Sequence, residues 1–133
     1  MTSSYEMLWE EIRNPDRSIS TAQNVMRRII EHYFTFLGGI KTDEIVGKFT
    51  GKDRMLCGSL FSWINDGSHY ANDDLYIACD ASMVEKYLVV FRRIFEEMGH
   101  ITHYDMMTKG VDIVPVNVDK IAESNLPVAA GGI

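Results

Sequence analysis

Asn24-Val25-Met26-Arg27-Arg28-Ile29-Ile30-Glu31 decides how this chain reads. It lies inside a longer segment, Ser20 to Leu37, in which Val25, Met26, Ile29, Ile30, Tyr33, Phe34 and Leu37 recur at helical spacing. That recurrence predicts one amphipathic helix with a broad apolar face. Ser20 followed three residues later by Gln23 resembles a capping box, and Gly38-Gly39 is a natural stop. Arg27 and Glu31 stand four apart on one side of this helix. Spacing alone reads them as an ordinary i,i+4 ion pair on a solvated face.

Outward from this helix, the pattern is helical almost throughout. Residues 4–13 place Tyr5, Leu8, Trp9 and Ile12 on one face, with Asn14-Pro15-Asp16 as the stop. Thr42 is expected to cap a brief helix from Asp43 to Phe49, broken by Thr50-Gly51. A helix from Lys52 to Ile64 follows, with Met55, Leu56, Leu60 and Trp63 as inward candidates. Asn65-Asp66-Gly67-Ser68 is turn chemistry, and Asp73 to Ala78 reads as either extended or a helical turn. Ala81–Met98 is the second strong helix, with Val84, Tyr87, Leu88, Phe91, Ile94, Phe95 and Met98 in register and Gly99 at its end. Val111 to Val118, around Pro115, reads as a loose strand or an extended tail. The expected fold is mainly α, a compact bundle of four to five helices over residues 1–118, with residues 119–133 as a flexible tail.

The 133 residues are 46% hydrophobic, enough for one domain with a real core and too few for two. Net charge is −6 and the pI about 5.1, the opposite sign from most nucleic-acid binders. Contact with RNA would therefore need a local basic patch, an oligomer or a partner chain. No apolar run approaches the ~20 residues that span a bilayer, and Met1 to Glu6 lacks the marks of a signal peptide. Cys57 and Cys79 have no metal-type spacing. A cytoplasmic protein with free thiols is the expectation.

The side chains able to do chemistry are Arg27, Arg28, Glu31, His32, His69, His100 and His103. Arg, Glu and His together suit metal-independent RNA cleavage. Histidine moves protons near neutral pH, arginine binds phosphate and offsets developing charge, and a carboxylate serves as base or orients the arginine. If the helices Ser20–Leu37 and Lys52–Ile64 run antiparallel, His69 can fold back toward Arg27. Asn24, Arg28, Asn65 and Ser68 are the expected substrate-binding residues. His100 and His103, three apart with Glu97 and Asp105 near, offer a weaker alternative as a metal site. Met106-Met107 reads as flexible core filling, and Trp9 and Trp63 as core anchors.

Three stretches carry a family resemblance: Asn24 to Phe34, Ser62 to His69, and Phe95 to Met107. They resemble the C-terminal module of the RloC and PrrC-type anticodon nucleases, which are ATPase-linked proteins of antiphage defence. The resemblance implies an all-helical HEPN-like domain that cuts tRNA in the anticodon loop without a cofactor. It implies an Arg-x-x-x-Glu pair and a later His as the catalytic set, here Arg27, Glu31 and His69. It also implies a homodimer, and an ABC-type ATPase as a partner or as a domain of the same protein. The sequence departs from that family in two respects. There is no Gly-x-x-x-x-Gly-Lys-Ser/Thr phosphate loop, and the Arg-x(4–6)-His of common HEPN nucleases is missing before His69. A non-catalytic helical docking module is the alternative.

Overall fold

The computed structural model describes residues 3–66 and 81–116. Its elements are α1 (Ser4–Arg13), α2 (Ile19–Ile30), a π-helix (Glu31–Leu37), α3 (Thr42–Val46), α4 (Gly51–Asp66), α5 (Ala81–Glu97) and α6 (Ile101–Thr108). The fold is mainly helical, as the periodicity predicts, with six α-helices among the described residues where four to five were expected. Gly67, Ser68, His69, the stretch from Asp73 to Ala78, Cys79 and the tail 119–133 lie outside the described residues.

The helices pack in a closed circuit. α2 packs on α1 and α4, α4 on α5, α5 on α6, and α6 returns to α1; α2 also meets α5, and α3 leans on α4. One core fills the circuit. Trp9 and Ile12 of α1, Val25, Met26 and Ile29 of α2, Leu60 of α4 and Leu88, Phe91, Ile94 and Phe95 of α5 are all fully buried. Each fully buried side chain of this size contributes roughly 1.5–3 kcal/mol. Gln23, itself buried, donates from Nε2 to the Trp63 carbonyl at 2.7 Å and so satisfies an orphan acceptor near the end of α4. Ser59 and Tyr87 share a hydrogen bond at 2.7 Å, and Trp63 stacks on Tyr87.

Several local expectations need correction. α2 starts earlier: Ser18, not Ser20, is its N-cap and accepts from the Thr21 N–H. α3 has no side-chain cap; Lys41 occupies the cap position and Thr42 is already helical. Met55, expected inward, is 77% exposed, since it lies on the face of α4 opposite the fully buried Cys57. Met106 is also exposed, while Met107 packs partly against the core. Gly99 does end α5, but a new helix, α6, begins two residues later.

The largest departure is at the end of α2. The α-helical ladder gives way at Glu31, whose N–H is shared between the carbonyls of Arg27 and Arg28. From there the backbone runs as a π-helix, a rare and wider winding. The wider turn rotates the following side chains out of the α-helical register. Phe34 stays in the core, whereas Leu37, next on the expected apolar face, is 70% exposed. Gly39 closes the segment at φ +64 while Ile40 N–H bonds back to the Phe34 carbonyl.

Two arginines hold the far end of the chain. Arg13 donates to the Met107 carbonyl at 2.6 Å. Arg17, only 5% exposed, donates to the carbonyls of Asn14 and Ile113. The Arg13 bond ties α6 to the end of α1, and the Arg17 bond to Ile113 ties the non-helical segment 111–116 to the α1–α2 connection.

Candidate active site

Arg27 and Glu31 lie at the outer edge of α2, where the α-helix passes into the π-helix. Arg27 Nη1 stands 3.8 Å from Glu31 Oε1, and Arg27 Nη2 donates to Asn24 Oδ1 at 2.9 Å. Both members of the ion pair are partly open to solvent, and an i,i+4 pair screened in this way contributes no more than about 0.5 kcal/mol to stability. An arginine ahead of an acid is also the weaker order for an i,i+4 pair. These charges are held in place at a surface where the fold gains little from them. Asn24, expected to meet substrate directly, directs its carbonyl oxygen at Arg27 and so orients that guanidinium.

Glu31 faces two ways. Beside Arg27 on one side, it also lines a cleft of about 180 Å³ with Ser4, Tyr5, Leu8, Arg28, His32 and Phe36. Arg28 makes no ion pair among the described residues, which leaves its guanidinium available to an anion. His32 stacks on Tyr5 with ring centroids 4.7 Å apart and an interplanar angle of 29°. Phe36 is 77% exposed. No motif marks His32 or Phe36 for a role; the π-helical winding and the packing of α1 bring them into one cleft.

The expected partners are not all here. Asn65, on the last turn of α4, lines a separate groove of about 480 Å³ with Thr42, Asp43, Arg54 and Ser62. The convergence of His69 and Ser68 on Arg27 falls outside the described residues.

His100 and His103 are engaged differently from the metal alternative. Nδ1 of His100 is 2.8 Å from the Tyr33 hydroxyl, and Nε2 of His103 is 2.7 Å from the Tyr5 hydroxyl. No group of three ligand-type side chains able to hold a metal occurs among the described residues. The tyrosines and histidines form a tight polar-aromatic layer joining α1, the π-helix and α6. Burial pushes the Tyr5 hydroxyl up to about 12 and raises Tyr33. Burial, then the neighbouring His100, lowers the pKa of His103.

A family model described as an AAA domain matches residues 1–96. The chain belongs to that AAA domain family. No curated protein and no solved structure matches it. Membership of the AAA domain family makes this an ATPase-associated module. Gly38-Gly39 does not form a phosphate cradle. Gly38-Gly39 close a π-helix, with no strand before them, and the short α3 that follows opens with Asp43 and Glu44, which repel phosphate. No helix among the described residues is long and apolar enough to cross a membrane.

Proposed function

We propose that this AAA-domain-family chain is a metal-independent endoribonuclease of the RloC/PrrC type, with an HEPN-like fold, that cuts tRNA in the anticodon loop during antiphage defence. The observation that carries this reading is the partly exposed Arg27–Glu31 pair, oriented by Asn24 and flanked by Arg28, which has no ion-pair partner among the described residues. In the proposed reaction the ribose 2′-OH attacks the adjacent phosphorus. Glu31 or His69 takes the hydroxyl proton, and the other returns a proton to the departing 5′-oxygen. Arg27 holds the phosphate and offsets charge on the phosphorane. The products are a 2′,3′-cyclic phosphate and a 5′-OH. Because the nucleophile is the substrate's own hydroxyl, no metal-bound water has to be generated.

A net charge of −6 opposes RNA, so the proposal includes a homodimer that sets two Arg27/Arg28 clusters across one groove, and an ABC-type ATPase as partner or neighbouring domain. The same acidity, with the exposed Met55 and Leu37, favours a second reading, a non-catalytic docking module for such an ATPase. Incubation with tRNA in EDTA, with end-group analysis of the fragments, separates them. Cyclic-phosphate ends from the wild type, lost by ~10²-fold or more in His69→Ala, support the nuclease. Activity that requires added magnesium or zinc overturns the mechanism. No cleavage by the dimer or by its complex with an ATPase leaves the docking module.

A further inference from the structure

The cleft beside Glu31 has the makings of a nucleotide seat as well as a proton-transfer edge. Its floor and walls combine one available cation, Arg28, one ring stacked in place, His32 on Tyr5, and one exposed ring, Phe36. Phe36 offers an uncovered aromatic face to solvent at the mouth of this cleft. The groups neighbouring it are a guanidinium and an imidazole, and Leu8 is the one aliphatic side chain among the described residues that line the cleft. Sequence-tolerant binding of single-stranded nucleic acid uses this pairing, aromatic faces for bases and cations for the backbone.

We infer that the Ser4/Tyr5/Arg28/His32/Phe36 cleft binds one unpaired nucleotide of single-stranded RNA, its base against the Phe36 ring and its phosphate on Arg28. The inference rests on the nuclease reading for its substrate class, and it adds the position of the nucleotide flanking the scissile bond. Glu31 lies both in this cleft and beside Arg27, so a nucleotide seated here delivers the next phosphate along the Arg27–Glu31 edge. The acidic Glu31 in the same cleft favours a single phosphate contact at Arg28 over a run of them.

The test separates binding from cleavage. The probe is a fluorescein-labelled single-stranded oligonucleotide with 2′-O-methyl riboses, which has no free 2′-OH and cannot be cut. Binding to the full chain is followed by anisotropy at several salt concentrations. Phe36→Ala is expected to weaken binding on the order of ten-fold, Phe36→Trp to preserve or tighten it, and Phe36→Leu to behave like alanine. Arg28→Ala is expected to reduce the salt slope by about one phosphate contact. Phe36 is exposed, so these variants should fold as the wild type does. Binding of the blocked probe without cleavage of unmodified RNA would retain this seat and reject the nuclease. Equal affinity for wild type and Phe36→Ala overturns the inference. So does a Phe36→Ala variant that keeps its affinity but loses self-association by light scattering, because the ring would then belong to a protein interface.

Discussion

The ring of Tyr33 lies flat against that of His103, centroids 4.1 Å apart and planes 12° from parallel. The Tyr5 hydroxyl closes on the same imidazole from α1, and His100 stands next to it. This surround favours neutral His103, and stability should show it. A histidine whose pKa is lower folded than unfolded makes the unfolded state bind more protons as pH falls. Stability is therefore full above the ordinary histidine value near 6.5 and declines as pH drops below it, until His103 also protonates in the folded state. Urea unfolding at a series of pH values between about 7.5 and 5 should show this decline. It should be shallower in His103→Gln. An unchanged slope in that variant would mean that other groups carry it.

Arg17 is a buried cation whose described hydrogen bonds go to the Asn14 and Ile113 carbonyls. Arg17→Met keeps most of the volume and strands the Ile113 carbonyl, while the Asn14 carbonyl keeps the backbone N–H of residue 17 at 3.1 Å. Hydrogen bonds from a charged donor are worth about 1.5–3 kcal/mol each, offset by relief of the buried charge, so a net loss of about 2 kcal/mol is expected. Denaturant titration measures it. A variant as stable as the wild type would show that burying the cation costs as much as its two bonds return.

Two glycine substitutions should have opposite signs. Gly39→Ala places a Cβ at φ +64 and should destabilise by about 1 kcal/mol. Gly58 sits inside α4 with nothing within 4 Å of an added Cβ, so Gly58→Ala should stabilise by about 0.5–1 kcal/mol. Thermal melting of both variants side by side tests the local backbone reading.

Arg27→Lys and Glu31→Gln should leave unfolding free energy within about 0.5 kcal/mol of the wild type, because the pair is exposed. If the nuclease reading holds, both should lower tRNA cleavage by ~10²-fold, the lysine because a point charge cannot replace a planar fork on phosphate. Wild-type cleavage rates in either variant would remove the pair from the mechanism.

What the sequence made legible follows the strength of its periodicity. Val25, Met26, Ile29, Ile30 and Phe34 are buried because a long amphipathic stripe leaves one low-energy way to face a core. Leu37 departs from that stripe because a change from α to π winding has no compositional mark. α6 escaped notice since its eight residues mix Met, Tyr, Thr and His with little period; only Tyr104 and Thr108, one turn apart, are buried. Ser18 and Ser20 carry the same hydroxyl, and geometry alone decides which caps. The Arg27–Glu31 pair was readable, since four residues on a helix fix proximity. The cleft was not, because Tyr5 and His32 meet through the packing of two helices. His100 and His103 looked like ligands by spacing, while their actual partners, Tyr33 and Tyr5, are 67 and 98 residues away in the chain.

That last separation sets an order of events during synthesis. α1 leaves the ribosome well before α6, its neighbour in the circuit, with Trp9 and Ile12 already on one face. α2 follows directly and covers part of that face, but the part of Trp9 that meets Phe95 and Tyr104 waits while almost a hundred residues are made, open to chaperones or to a second nascent chain in that interval. The enclosure of α1 is completed by a helix made long after it.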